Sequence, residues 1–289
     1  MSTQIHDLGY RAYAGERAGV AWAVRSLAVH SMRRILGLKR AGKHKIVPAL
    51  TIGFAFLPAI VMIGIAAFVP AVNEFDIIRL GDYFGFISFA LFLFTAAAAP
   101  GVLTTDRTSG MLALYLASPL NRTTYVLAKF IGIFSVMLLV TVAPIVFLQV
   151  AFTLVGSGPG GIVDFVASIA RAIVAGGILA AALTGLGMFI SSFPKRWGIA
   201  SVAIVATMLI PIIVAAILTE GADAPDWVMF LSPPDILGKA WEHLIGDPVN
   251  NSLALDRLDS TLVVLAAIAY AAVFVGLTWW RYQHIEVDR

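Results

Sequence analysis

Charge in this chain is gathered into clusters. Between the clusters lie six stretches of roughly 20 residues or more with no charged side chain, each long enough to cross about 30 Å of hydrocarbon as a helix. Asp, Glu, Lys and Arg make up only 13% of the 289 residues, about half the share usual in a soluble domain. The apolar runs are continuous rather than alternating, which argues for helices over barrel strands. The expected fold is therefore an all-α membrane protein with six transmembrane helices. Predicted spans are Val47–Val69, Tyr83–Thr104, Tyr125–Val155, Phe165–Phe193, Gly198–Leu218 and Thr261–Trp280. The first begins after a long basic segment, so it reads as a retained span and not as a cleaved signal.

Lysine and arginine give the orientation. Sixteen of the 20 fall before the first span, between spans two and three, between four and five, or after the sixth. The other side holds Arg79, Arg171, Lys239 and Arg257, but 12 of the 17 acids. The positive-inside rule then places both termini in the cytosol, in a plasma (inner) membrane. Trp197 and Trp279-Trp280 lie beside basic residues, as interfacial belts do. The expected organisation is a cytosolic N-terminus at 1–46, a six-span domain at 47–281 with inner loop 105–124 and outer loop 219–260, and a tail at 282–289.

Two segments outside the spans carry helical patterns. In the N-terminal segment Val20, Val24, Leu27, Ser31, Ile35 and Leu38 share one face, with Arg25, Arg33 and Lys39 off it and Arg34 at its edge. This predicts an amphipathic helix on the inner leaflet, its cations near anionic headgroups. The outer loop holds Trp227, Phe230, Leu231, Ile236, Leu237, Trp241 and Leu244 around Pro233-Pro234, predicting two short helices folded back on the spans. The triplet Asn250-Asn251-Ser252 is a weak glycosylation pattern.

Several chemistries lack their parts. There is no Cys, so disulfides and thiolate sites are excluded. No phosphate-cradling G-x-x-x-x-G-K-[ST] loop, H-E-x-x-H or G-x-S-x-G occurs. His6, His30, His44, His243 and His284 all lie outside the predicted spans, and the acids stop at span boundaries such as Asp82, Asp106 and Asp164. Ion-coupled carriers usually place such groups at membrane depth. No catalytic residue, metal site or bound cofactor is expected, nor a nucleic-acid partner. Arg171 and Gln149 are candidates for lining a substrate path. The competing readings are an arginine snorkelling outward or pairing with Asp164, and an amide joining two helices. Gly177, Ala181 and Gly185 recur at four-residue spacing and predict close helix packing. Pro58, Pro100, Pro144 and Pro211 invite kinks in four spans.

The stretch from Asp106 to Phe130 interrupts the lipid pattern. Asp106 is expected to cap a short helix starting at Arg107–Thr108. Leu112, Tyr115 and Leu116 share one face, with Met111 and Leu114 beside it, and Pro119 ends the helix. That apolar face needs cover from the bundle, the lipid or a partner. Asp106, Gly110, Leu112, Leu114, Leu116, Ser118, Pro119, Arg122 and Lys129 resemble the inner loop of type-2 ABC transporter permeases. Departures are Asp106 for the commoner Glu, Met111 for Thr, and Ala128 where Gly often precedes the lysine. The six-span layout, basic lead-in helix and long last outer loop extend the resemblance over nearly the whole chain.

The resemblance implies an ATP-driven exporter. This chain would supply the path, and a separate cytosolic ATPase, in two copies, would bind ATP and Mg. The loop helix would couple the two, through Asp106, Arg107, Gly110, Leu112, Tyr115, Leu116, Ser118, Pro119 and Arg122, with Asp106 and Arg122 at the rim of the contact. Two permeases, identical or homologous, would assemble. The charge-poor spans lean towards an amphiphilic cargo. The alternatives are a non-transporting scaffold or assembly factor, and a lipid-modifying enzyme, for which no cluster of reactive side chains is visible.

Overall fold

In the computed structural model the described residues are 18–38, 42–68, 80–156, 158–246 and 253–285. Arg11, Arg17, Lys39, Arg40, Arg79, Arg289 and the Asn250-Asn251-Ser252 triplet lie outside them. The helices run in the order α1 (Val20–Ile35), α2 (Ile46–Phe68), α3 (Tyr83–Thr108), α4 (Met111–Ala117), α5 (Arg122–Val155), α6 (Ile162–Ser191), α7 (Trp197–Ala216), α8 (Pro233–Ile245), α9 (Leu253–Asp256) and α10 (Ser260–His284). Among the described residues there is no strand. Six helices are long and apolar enough to span a membrane: α2, α3, α5, α6, α10, and α7 with its π-helical extension to Gly221. The six expected spans all appear.

Local chemistry sets the helix ends. Asn121 caps α5 reciprocally with Thr124: the Thr124 amide donates to the Asn121 side chain, and the Asn121 amide donates to Thr124 Oγ1, each at 2.8 Å. Gly156 ends α5 at φ +84°, a left-handed conformation that other residues adopt reluctantly. A 3₁₀ helix over Asp226–Leu231 ends at Ser232, and Pro233 and Pro234 open α8, where their missing amide protons have no intrahelical partner anyway. α8 then buries Ile236, Leu237 and Trp241 against the spans, while Trp227 and Leu231 stay exposed.

Burial in the bundle is uneven. α5 and α6 form the centre, with α10 against α6 and α3 against α7. Side chains such as Val202, Ile210 and Ile213 on α7, and Leu262 and Leu265 on α10, are more than half exposed. On helices of this length they face lipid or another subunit. α1 is pressed onto α5: a Cβ added at Gly132 would lie 2.7 Å from both the Ala28 carbonyl oxygen and Ser31 Cβ. Of the expected α1 face, Leu27, Ser31 and Ile35 are buried there, Val24 is half-buried, and Val20 and Leu38 are exposed. Trp22, Arg25 and Arg33 point outward.

Candidate functional site

α1, the end of α3, α4 and the start of α5 meet at one end of the bundle, here called the basic end. α3 runs past Asp106 to Thr108, so Asp106 is an interior residue of that helix and not the cap of α4. Gly110 makes the turn instead, at φ +68°. This corrects the sequence expectation, and it moves the carboxylate from a rim position to a buried one, 1% exposed.

Asp106 sits in a cluster. Lys129 Nζ, fully buried, lies 2.5 Å from Asp106 Oδ2, and Arg34 Nη1 donates to Oδ1 at 3.0 Å. The Tyr125 hydroxyl donates to Oδ2 at 3.1 Å. Lys129 Nζ is also 5.4 Å from the ring centroids of both Tyr115 and Tyr125, so two π faces share its charge. Tyr115, Tyr125 and Tyr282 continue as a row of rings, 5.9 and 5.7 Å apart. Burial, and secondly the negative charge of Asp106, raise the Tyr115 phenol above its usual pKa. The cluster thus clamps four segments together: α1 by Arg34, α3 by Asp106, α4 by Tyr115 and α5 by Lys129 and Tyr125.

In the sequence Lys129 lies near the start of the third span and Arg34 at the edge of the α1 face. Their clue in the sequence was weak: a charge just inside an apolar run, a full loop away from its counter-ion. The other basic residues of the loop act as ties. Arg107 donates to the Ser192 carbonyl at 2.6 Å, joining α3 to the turn after α6. Arg122 donates to the Tyr282 carbonyl at 3.2 Å and to that of Gln283, which satisfies two of the free carbonyls ending α10. Arg122 is therefore a helix-end clamp within this chain.

On α4 the bundle itself covers the apolar stripe. Leu112 is buried, and Leu116 and Tyr115 are half-buried against the protein's own core. Leu112 and Leu116, with Arg122, Tyr125, Tyr282 and Ile285, line a void of only about 10 Å³, too tight for a partner side chain. The uncovered side carries Met111 at 37% and Leu114 at 63% exposure, with Ala113, Ala117, Ser118 and Pro119 beside them.

The other expected site residues separate. A Cβ at Gly185 would meet Val275 and Phe274 of α10 at 3.0–3.1 Å, whereas one at Gly177 would meet nothing within 4 Å. Ala181 is half-buried. The tight approaches on α6 are Gly176, 2.6 Å from Val142 Cγ2, and Gly187, 2.8 Å from Thr95 Cγ2. Gln149 is buried and exchanges bonds with Ser168, its Nε2 donating to the carbonyl at 3.4 Å and its Oε1 accepting from Oγ at 3.2 Å. It joins α5 to α6, and both ends of the amide are occupied. Arg171 is exposed and reaches the C-terminus of α8, its Nη1 3.1 Å from a Cβ placed on Gly246. A cation there complements the helix dipole.

Six apolar helices among the described residues, with a buried charge clamp and a short helix held against one end, define a multi-pass membrane protein. A family model for the ABC-2 family transporter protein matches residues 14–287. The chain belongs to that family, and is a membrane permease of an ABC transporter. No curated protein matches it in sequence.

Proposed function

We propose that this permease is the path-forming subunit of an exporter and is driven by a separate ABC ATPase that docks on the outward face of α4. The observation that carries this is the geometry of α4. Its inner face is locked to the bundle through Leu112, Tyr115 and Leu116, and its outer face leaves Leu114 63% exposed outside the spans. A short helix rigidly tied to α1, α3 and α5 passes a push at Leu114 to three other elements at once. The chain has no phosphate-cradling loop of its own, so ATP and Mg belong to the partner. Since ABC ATPase sites form between two ATPase subunits, two ATPases and two permeases, identical or homologous, complete the assembly. The basic end faces the cytosol of a plasma (inner) membrane, with both termini on that side.

The test is reconstitution of the permease with its co-purifying ATPase in proteoliposomes. Hydrolysis should depend on both subunits and should rise with transported cargo leaving the cytosolic side. A permease that co-purifies with no ATPase, or ATPase activity indifferent to its presence, would favour the assembly-factor reading instead.

A further inference from the structure

A cavity of about 430 Å³ opens at the basic end, between the end of α1, the start of α2, α3 from its middle to Thr105 and the start of α7. Its walls are apolar, Phe94, Ala98 and Val102 among them, and Gly101 leaves room opposite Trp197. Phe94 and Thr105, both lining it, are eleven residues apart on α3. That is about 16 Å of helix axis, so the cavity runs from the helix end well into the span. Val47 and Trp197 also line it and are 47% and 53% exposed, so it is continuous with the lipid-facing surface.

Among the described residues one charged side chain lines this apolar space: Arg34. Among the described residues Arg34 and Lys129 share the single carboxylate of Asp106, so two cations meet one counter-charge. Lys129 is sealed off, whereas Arg34 keeps 13% of its side chain exposed. Its Nε is buried with no acceptor among the described residues. A guanidinium partly exposed along the cavity wall, an indole beside it and apolar walls match one kind of molecule. It has an anionic head able to accept from Arg34 and a hydrocarbon tail.

We propose that this cavity binds an anionic phospholipid from the leaflet at the basic end, its phosphodiester on Arg34 and an acyl chain along Val47, Ala97, Gly101 and Trp197. A second permease copy over the same groove would offer no reason for the second cation. The lipid supplies the counter-charge that Asp106 alone does not. Because Arg34 also holds α1 to α3, lipid occupancy sets how firmly that joint is held. The site rests on membrane insertion alone and stands whichever way cargo moves.

Trp197 provides the readout. Wild-type permease would be placed in nanodiscs of phosphatidylcholine doped with acyl-brominated phosphatidylglycerol or acyl-brominated phosphatidylcholine. Quenching assigned to Trp197 is the difference from a Trp197→Phe variant, which removes one of six tryptophans. Half-maximal quenching should need about fivefold less brominated phosphatidylglycerol than phosphatidylcholine, the advantage expected of one basic residue at a membrane surface. Arg34→Gln should abolish that difference, Arg34→Lys should retain part of it, and Gly101→Leu should weaken quenching by both lipids by filling the cavity. Millimolar inorganic phosphate should leave wild-type quenching unchanged. Equal quenching of Trp197 by the two lipids in the wild type overturns the proposal, and the only variant that comparison needs is the conservative Trp197→Phe reference. Displacement by phosphate would mean a small-anion site. Absence of quenching by either lipid would mean that protein covers the groove.

Discussion

Asp106 is the carboxylate that Lys129 and Arg34 share, and removing its charge strands both. Breaking a buried ion pair from one side costs about 3–5 kcal/mol, because the partner is left uncompensated. Asp106→Asn keeps the shape and should destabilise the detergent-purified permease by free energy of that order, read as a lowered thermal midpoint. Asp106→Asn combined with Lys129→Met should recover part of the loss. If the single variant melts with the wild type, the cluster does not clamp the basic end. The glycines allow a cleaner comparison. Gly187→Val should destabilise by about 1–3 kcal/mol through overlap with Thr95 and Ala99, while Gly177→Val should leave the isolated chain's midpoint unchanged. Within this chain the four-residue spacing does not give one packed face, for a geometric reason. Eight residues turn a helix about 80° past two full circles, so Gly177 and Gly185 diverge, whereas Gly176 and Gly187, eleven apart, return to within about 20°. The Asp106–Lys129 pair was hidden because its members lie on different helices, and a one-dimensional pattern does not show which helix ends meet.

At the scale of elements, α4 was legible as a helix ended by Pro119, but the side it buries was not. Leu112, Tyr115 and Leu116 form the better apolar stripe, and the bundle takes the better stripe for itself. Leu114 is left outward beside alanines, where the sequence pattern ranks it second. α8 shows the opposite case: its buried Ile236, Leu237 and Trp241 follow directly from the helical period. Its His243 is half-buried with Nε2 unpaired among the described residues. Burial first, then the charge of Lys239, hold its imidazole below the usual 6.5, with Asp256 and Asp259 opposing. The unfolded chain then takes up a proton near 6.5 while the folded helix resists it. Stability from this group is complete above that pH and is lost as pH falls below it, until the folded imidazole also titrates. The thermal midpoint should therefore drop between about pH 7 and about pH 5.5 more in the wild type than in His243→Gln. Equal drops would remove His243 from the account of the outer layer.

At the scale of the whole molecule, the six spans were legible because length and apolarity are enough to define a helix in lipid. Their neighbours were not, since Gly132 against α1 and Gly187 against α3 depend on fit. Sidedness follows from charge alone and can be probed directly, because the chain has no cysteine. Cysteines at Asn121 and Ala222, both exposed, should be labelled from the cytosolic and the outer side respectively by an impermeant maleimide. The reverse pattern would invert the orientation.

The central claim is that a partner ATPase engages the bundle through Leu114 on a helix the permease holds from behind. The most direct measurement compares Leu114→Asp with Leu116→Asp for ATPase association and for ATPase stimulation. Burying a leucine contributes about 1.5–3 kcal/mol, so Leu114→Asp should weaken association about tenfold or more. The purified permease should stay monodisperse and melt with the wild type. Leu116→Asp should instead lower the midpoint of the permease by itself, since it places a carboxylate against Tyr125 and Tyr282. Wild-type association and stimulation in a well-folded Leu114→Asp protein would contradict the account.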